Sequence, residues 1–229
     1  MTAHGVEQAK ELGERLLSAD PPIERVYSSV YYRCLQTVEP FVRKRTGLKV
    51  RGETGLGEWY GAANFEHPIP APLEELGSHF PSILDHDYHP VLVPTRNGEG
   101  VDELHDRVAA TMETLIAECD RDGIRTALLC SHAAVVIALG RILTGNMPTD
   151  ISANDFGAFT CGVSLYRRRK AVATEIRGVS GALENTPGAG ADPESGNPNW
   201  RGGRGVSGGW ECELNSDCSH LSSGEERGW

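Results

Sequence analysis

Three segments of the sequence carry side chains that can bind or transfer a phosphate group, and each follows a short strand-like or glycine-rich run. Arg33 lies a few residues after Val26-Tyr27-Ser28-Ser29, and a guanidinium can hold two phosphate oxygens at once. His132 follows Leu128-Leu129-Cys130-Ser131, and an imidazole can attack phosphorus or stabilise its equatorial oxygens. Glu58 lies in a loop flanked by glycines, where a carboxyl group with a raised pKa can protonate a leaving alkoxide. We therefore predict a phosphate-ester site in which Arg33 binds substrate and His132 and Glu58 are catalytic.

Apolar periodicity predicts the elements that position these side chains. Helices are expected near residues 2–16, 31–45, 101–119 and 133–143, and strands at Arg25–Ser28, Thr126–Cys130, Val163–Arg167 and Ala171–Ile176. Helices that alternate with short apolar strands are typical of an α/β sheet with helices on its faces. In such sheets ligands bind beyond the carboxyl ends of the strands and next to helix N-termini. Arg33 and His132 are both expected at such positions.

Each candidate residue also has a simpler interpretation. Arg33 could be a surface arginine of a helix, and His132 could be satisfied by the backbone at the end of a strand. Glu53 and Glu66 lie near Glu58 and are alternative acids. Glu99 is interpreted as a surface carboxylate that precedes a helix, with a secondary role at the site as the alternative.

Composition and charge exclude several classes of function. The 229 residues carry 22 Lys and Arg against 32 Asp and Glu, a net charge of −10, which disfavours direct binding to nucleic acid. The sequence has neither a run long enough to span a membrane nor a recognisable signal peptide. The six scattered cysteines are typical of reduced thiols in a cytoplasmic or nuclear protein. Cys212, Cys218 and His220 fit no ordinary zinc spacing, so we predict neither a metal nor another cofactor.

The composition changes near residue 178, which divides the chain into three parts. Residues 178–229 hold 12 of the 27 glycines, and the segment 178–205 is predicted to be a flexible, glycine-rich linker. Residues 206–229 regain scattered apolar side chains that are too few for an independent core. We interpret this last part as a tail that docks on another surface, and residues 1–177 as the main domain.

The main domain resembles the histidine phosphatase, or phosphoglycerate-mutase-like, superfamily. Five blocks occur in the order expected for that family, which makes the resemblance more specific than any one block. They are Thr2–Ala9 (Thr-x-x-Gly-x-x-Gln-Ala), Ser28–Thr37 (Ser-Ser-x-x-x-Arg-x-x-Gln-Thr), the acid-bearing loop Gly55–Trp59, the segment Gly98–Gly100 and the second-histidine motif Cys130–Ala133.

The resemblance implies a fold and a reaction. The fold would be a three-layer α/β/α sheet, and the reaction would act on phosphate monoesters through a phosphohistidine. By this resemblance Arg33 corresponds to the phosphate clamp, His132 to the second histidine and Glu58 to the proton donor. The substrate would be a phosphorylated small molecule or a phosphoprotein.

One part of the family pattern is absent from the sequence. The family nucleophile belongs to an Arg-His-Gly motif at the end of a first strand that precedes the Thr2–Ala9 block. Ala3-His4-Gly5 mimics this motif, but too few residues precede His4 to form a strand, so we predict an exposed histidine at a helix end. We therefore expect a domain that lacks its first strand, has no turnover as this polypeptide and could derive from a truncated gene model.

The tail is similar to the C-terminal segment of fungal members of the family. That group includes the phosphatase-like subunit of transcription factor IIIC. The alternative function is therefore a non-catalytic scaffold or transcription-factor subunit whose tail binds a protein partner. A retained phosphate pocket would favour the enzyme, and a partner bound through the tail would favour the scaffold.

Overall fold

The described parts of the chain, residues 1–170 and 199–226, form five helices and five strands in a computed structural model. The helices are α1 (Ala3–Leu17), α2 (Tyr32–Arg43), α3 (Leu73–His79), α4 (Val101–Arg121) and α5 (Ala133–Thr144). The strands are β1 (Arg25–Ser28), β2 (Val50–Gly52), β3 (Ala127–Cys130), β4 (Val163–Arg168) and β5 (Trp210–Asp217).

These elements confirm the predicted α/β class. The helices and strands that periodicity indicated end within about two residues of their expected bounds. β2, α3 and β5 were not expected. β2 and α3 are too short to show a clear periodicity, and β5 lies in the part that was interpreted as a docking tail. The predicted strand Ala171–Ile176 and most of the predicted linker lie outside the described residues.

A parallel sheet sets the positions of the candidate residues. Its strand order is β2-β1-β3, and Val26 of β1 lies opposite Val50 of β2 and Leu128 of β3. In the same register Ser28 lies opposite Cys130. The residues that follow β1 and β3 therefore leave the sheet side by side at its carboxyl edge.

Helices cover both faces of this sheet, which gives the predicted three layers. Val26 packs into one apolar cluster with residues of α1, α2 and α3, including Leu12, Phe41 and Leu76. Tyr27 points the other way and packs into a second cluster built mainly from α4 and α5. The alternation of neighbouring side chains along a strand explains why one strand serves both clusters. Within the described residues, no helix is both long and apolar enough to cross a membrane.

The described C-terminal residues pack on the main domain of the same chain. β5 pairs with β4 in an antiparallel hairpin, and Trp200 is fully buried against the cluster of α4 and α5. Trp200 lies within the segment that composition assigned to the linker. The backbone of Gly205 lies so close to Gly145, the left-handed residue that ends α5, that a side chain at position 145 would collide with it. The C-terminal residues are therefore in close contact with the main domain.

A cleft of about 770 Å³ separates the parallel sheet from the β4–β5 hairpin. Leu128, Leu129 and Cys130 of β3 line one side, and Val163 and Ser164 of β4 line the other. Among the described strands β3 pairs only with β1, and β4 pairs only with β5. The cleft is therefore lined by residues of two strands, β3 and β4, that are not paired with each other.

Candidate active site

The structure brings the three predicted site residues into direct contact. Nη2 of Arg33 lies 2.9 Å from Nδ1 of His132 and 2.8 Å from Oε2 of Glu58. Nδ1 of His132 is 3.2 Å from the same carboxylate oxygen. His132 is buried, whereas the side chain of Arg33 is about half exposed (49%) and can be reached from the cleft. One cation, one titratable base and one carboxylate are thus in mutual contact, and Arg33 and His132 line the cleft.

Two helix starts position the basic pair. Arg33 is the second residue of α2, and His132 is the N-cap residue of α5. The unpaired backbone N–H groups and the helix dipole make each N-terminus favourable for an anion. Because Arg33 and His132 touch each other, both helix starts lie beside the same pocket.

Ser29 is a site residue that the sequence reasoning did not single out. Its Oγ is 2.8 Å from Nε2 of His132, and both groups are buried. When the imidazole is neutral, Nδ1 accepts from Arg33, which can only donate, so Arg33 fixes the tautomer and Nε2–H donates to the Ser29 hydroxyl. Its place in the Ser28–Thr37 block was the available signal, but only the parallel register of β1 and β3 brings it to His132.

Neighbouring groups set the charge of this pocket. Burial lowers the pKa of His132, but hydrogen bonds with Cys34 and Glu58 outweigh burial and raise it above its usual value. For Glu58, burial raises the pKa, but the hydrogen bond with His132 and the charge of Arg33 lower it overall. Glu58 is therefore ionised in this arrangement, whereas the proton-donor role calls for a raised pKa.

The alternative acids lie in other structural settings. Glu53 is fully buried and accepts hydrogen bonds from Tyr88 at 2.5 Å and from the backbone N–H of Gly55 at 2.7 Å. Glu66 forms an exposed ion pair with Arg96 at 2.7 Å. Glu58 is therefore the acid that the structure places beside Arg33 and His132.

Glu99 is linked to the acid-bearing loop through the guanidinium of Arg107. Nε of Arg107, a buried residue of α4, donates to both carboxylate oxygens of Glu99 at 2.9 and 3.0 Å. Nη1 of the same guanidinium donates to the carbonyl oxygens of Gly55 at 2.6 Å and Gly57 at 3.3 Å. This ion pair therefore holds the loop that leads into Glu58, so Glu99 is more than a surface carboxylate.

His4 lies in the first turn of α1, where the sequence predicted an exposed histidine at a helix end. Its side chain is half exposed, and Nε2 is 2.8 Å from Oε2 of Glu226. Nε2 of His220 lies 3.1 Å from the carbonyl oxygen of Cys161. Within residues 1–170 and 199–226, no group of three or more His, Cys, Asp or Glu residues could hold a metal ion.

Replacing Glu58 with glutamine is expected to lower the pKa of His132, because the substitution removes a carboxylate that raises it. A titration of the His132 ring signals by NMR measures this change. Gln keeps the size of the side chain, and Glu66→Gln, in an exposed ion pair, is the matched control. An unchanged pKa in the Glu58 variant would show that the carboxylate does not act on the imidazole.

The same pKa shift predicts how stability depends on pH. The folded-state pKa of His132 is raised above the value of about 6.5 for an unfolded histidine. Its contribution to stability is therefore fully present below about pH 6.5 and is lost as the pH rises through the folded-state pKa. The difference in unfolding free energy between the protein and Glu58→Gln should shrink over that range.

Comparisons with known proteins identify the family and several similar proteins. The family described as the histidine phosphatase superfamily (branch 1) matches residues 1–175. The chain is 30% identical over 236 residues to the transcription factor tau 55 kDa subunit of Saccharomyces cerevisiae. The alignment covers 100% of this chain and 51% of that protein. It is also 30% identical over 155 residues to the ecdysteroid-phosphate phosphatase of Drosophila melanogaster, which covers 65% of this chain and 20% of that protein. The chain thus spans about half the length of the yeast protein and less of the fly protein.

Two solved structures show the same fold. The ecdysone phosphate phosphatase of Bombyx mori, in complex with tungstate, superposes with a TM-score of 0.54 at 24% identity, over 65% of this chain and 61% of that chain. Bacillus stearothermophilus YhfR superposes with a TM-score of 0.54 at 18% identity, over 96% of this chain and 86% of that chain.

Proposed function

Because this chain belongs to the histidine phosphatase superfamily, we propose that its pocket binds the phosphate group of a phosphomonoester. The observation that carries the proposal is the contact between Arg33 and His132, whose nitrogens lie 2.9 Å apart. Two basic groups that approach so closely in a partly open pocket repel each other when both are charged. A bound dianion removes that repulsion, because it can accept hydrogen bonds from both.

Each group in the pocket has a place in this binding mode. The guanidinium of Arg33 would hold two phosphate oxygens, and protonated His132 would donate a hydrogen bond to a third. The raised pKa of His132 favours the protonated form that this contact needs. The N-termini of α2 and α5 would add backbone donors and a favourable dipole.

Glu58 would be the proton donor to the leaving group. Its pKa is lowered because it contacts His132 and Arg33. A phosphate that occupies Arg33 and His132 would take over these contacts and place negative charge near the carboxylate, and both effects raise its pKa. The proposed role therefore depends on the ligand-bound state.

Phosphoryl transfer through a phosphohistidine also needs a nucleophile. Residues 1–229 contain no Arg-His-Gly sequence. We propose that the nucleophilic histidine is delivered by an extended segment in the cleft beside β3, which opens onto Arg33 and His132. By this proposal the polypeptide of residues 1–229 binds phosphate but does not turn over phosphomonoesters by itself, since loss of a nucleophile costs several orders of magnitude in rate.

Calorimetric titration of residues 1–229 with orthophosphate and with tungstate tests the binding proposal. Saturable binding that perturbs the NMR signals of His132 is the expected result. Absence of binding up to tens of millimolar phosphate would refute it. A separate assay with an aryl phosphate tests turnover: we expect none, and activity lost in His4→Gln would assign the nucleophile to His4 instead.

A scaffold role in a transcription-factor assembly is a second candidate. It is favoured by the similarity to the yeast transcription factor subunit, which extends over the whole chain, whereas the fly phosphatase matches about two thirds. By this proposal the protein acts in the nucleus, and residues 206–229 contact a protein partner. Stable co-purification of the full chain with a larger protein, lost when exposed residues of that segment are changed, would support it. A single-chain species in cell extracts would count against it.

A further inference from the structure

Two cysteines lie beside the imidazole of His132 and have no part in the proposed phosphate contacts. Cys34 is the third residue of α2, and Cys130 is the last residue of β3. Both line the cleft between β3 and β4. The cleft is therefore the open space next to the two cysteines, of which Cys34 is buried and Cys130 is partly buried.

Each thiol is held against the segment that carries the other. The thiol of Cys34 donates to the carbonyl oxygen of Ser131 at 3.7 Å, and the thiol of Cys130 donates to the carbonyl oxygen of Cys34 at 3.6 Å. Sγ of Cys34 is also 3.6 Å from Nε2 of His132. Both sulfurs therefore lie between the end of β3 and the first turn of α2.

The surroundings of Cys34 favour its thiolate. A hydrogen bond from the thiol of Cys130 lowers the pKa of Cys34; burial raises it, but contacts with His132 and the charge of Arg33 lower it further, to about 5. The start of α2 acts in the same direction. The hydrogen bond to Cys34 and burial raise the pKa of Cys130 well above its usual value. Burial likewise raises the pKa of the remaining cysteines, Cys119, Cys161, Cys212 and Cys218.

We propose that Cys34 and Cys130 form a redox-sensitive pair that hydroperoxides convert to a disulfide. The Cys34 thiolate attacks hydrogen peroxide, the O–O bond breaks, and the sulfur becomes a sulfenic acid while the released hydroxide is protonated to water. Sγ of Cys130 then attacks Sγ of Cys34. The S–S bond forms, the S–O bond breaks, and the departing hydroxide takes the Cys130 proton and leaves as water. The two thiols lose two electrons in total, which the peroxide accepts.

At acidic pH the reaction rate of Cys34 with peroxide should differ most from the rates of the other thiols. At pH 6 a thiol with a pKa of about 5 has roughly 300 times the thiolate fraction of an ordinary cysteine, whereas its weaker nucleophilicity costs roughly 40-fold. Cys34 is therefore expected to react about sevenfold faster than an unperturbed cysteine at that pH. The difference from the other five cysteines should be larger, because their pKa values are raised.

Peptide mapping of the unmodified protein after treatment with hydrogen peroxide at pH 6 tests the proposal. The expected product is a peptide pair linked through Cys34 and Cys130, lighter by two hydrogens and separated again by dithiothreitol. Oxidation of another cysteine first, or a link from Cys34 to Cys161, would overturn it. Because mapping needs neither a variant nor a ligand, its outcome is independent of the proposed phosphate binding.

Two variants extend the test. In Cys130→Ser the second step has no thiol, so oxidation should stop at a sulfenic acid on Cys34 that dimedone captures. Cys212→Ser, on β5 away from this pair, is the control and should form the disulfide as before. Equal capture of the sulfenic acid in the unmodified protein and in Cys130→Ser would exclude Cys130 as the resolving thiol.

Discussion

Arg33→Ala is expected to weaken phosphate binding by residues 1–229 about 100-fold. A guanidinium that holds two phosphate oxygens makes two charge-assisted hydrogen bonds, each with a net value of about 1.5 kcal/mol or more. Together they amount to about 3 kcal/mol, which corresponds to roughly two orders of magnitude in Kd. Calorimetric titration with orthophosphate measures the change.

The fold should tolerate this substitution, because about half of the Arg33 side chain is exposed. Arg33→Lys keeps the charge but loses the planar fork, so its affinity should lie between those of the protein and Arg33→Ala. Arg96→Ala is the matched control, since Arg96 also pairs with a glutamate but lies outside the pocket. Equal losses in Arg33→Ala and Arg96→Ala would mean that phosphate is attracted by general charge rather than bound at this site.

Arg107→Met is expected to lower the unfolding free energy by about 3 kcal/mol, because it leaves the largely buried carboxylate of Glu99, with 12% of its side chain exposed, without its partner. It also removes the donors to the carbonyl oxygens of Gly55 and Gly57. For a chain of this size the melting temperature should fall by roughly 10 °C. Thermal and denaturant unfolding measure both quantities.

A double variant separates charge from packing at this pair. Adding Glu99→Gln to Arg107→Met removes the unpaired charge, so part of the lost stability should return. Arg96→Met, in an exposed pair, should change stability by less than about 1 kcal/mol. If the double variant is as unstable as the sum of the two single variants, the pair is not energetically coupled.

The loop held by Arg107 also links this ion pair to the proposed site. Glu58 follows Gly57 directly, so release of the loop should change the distance from Glu58 to His132. We therefore expect a lower pKa of His132 in Arg107→Met wherever that variant remains folded. This effect connects a buried contact on α4 with the charge of the pocket.

The sequence by itself determined most of the helices and strands, and it singled out two basic residues, Arg33 and His132. Strand β1 and the helices that follow β1 and β3 lie where apolar periodicity predicts them. Such local patterns are readable, because a buried strand or helix face constrains residue types at fixed spacing. Arg33 and His132 could be found for the same reason, since each lies at the start of a readable helix that follows a strand of the parallel sheet.

Only the tertiary structure decided which carboxylate joins that pair and how the pocket is charged. Glu53, Glu58 and Glu66 lie close together in sequence. In the fold, however, Glu53 is buried in the core, Glu58 contacts His132 and Glu66 lies on the surface. The contacts of Ser29 and Cys34 with His132 join residues about 100 positions apart. They depend on the parallel register and the crossover that brings β3 beside β1. Charge in a pocket depends on distances and burial in three dimensions, and neither is encoded in spacing along the chain.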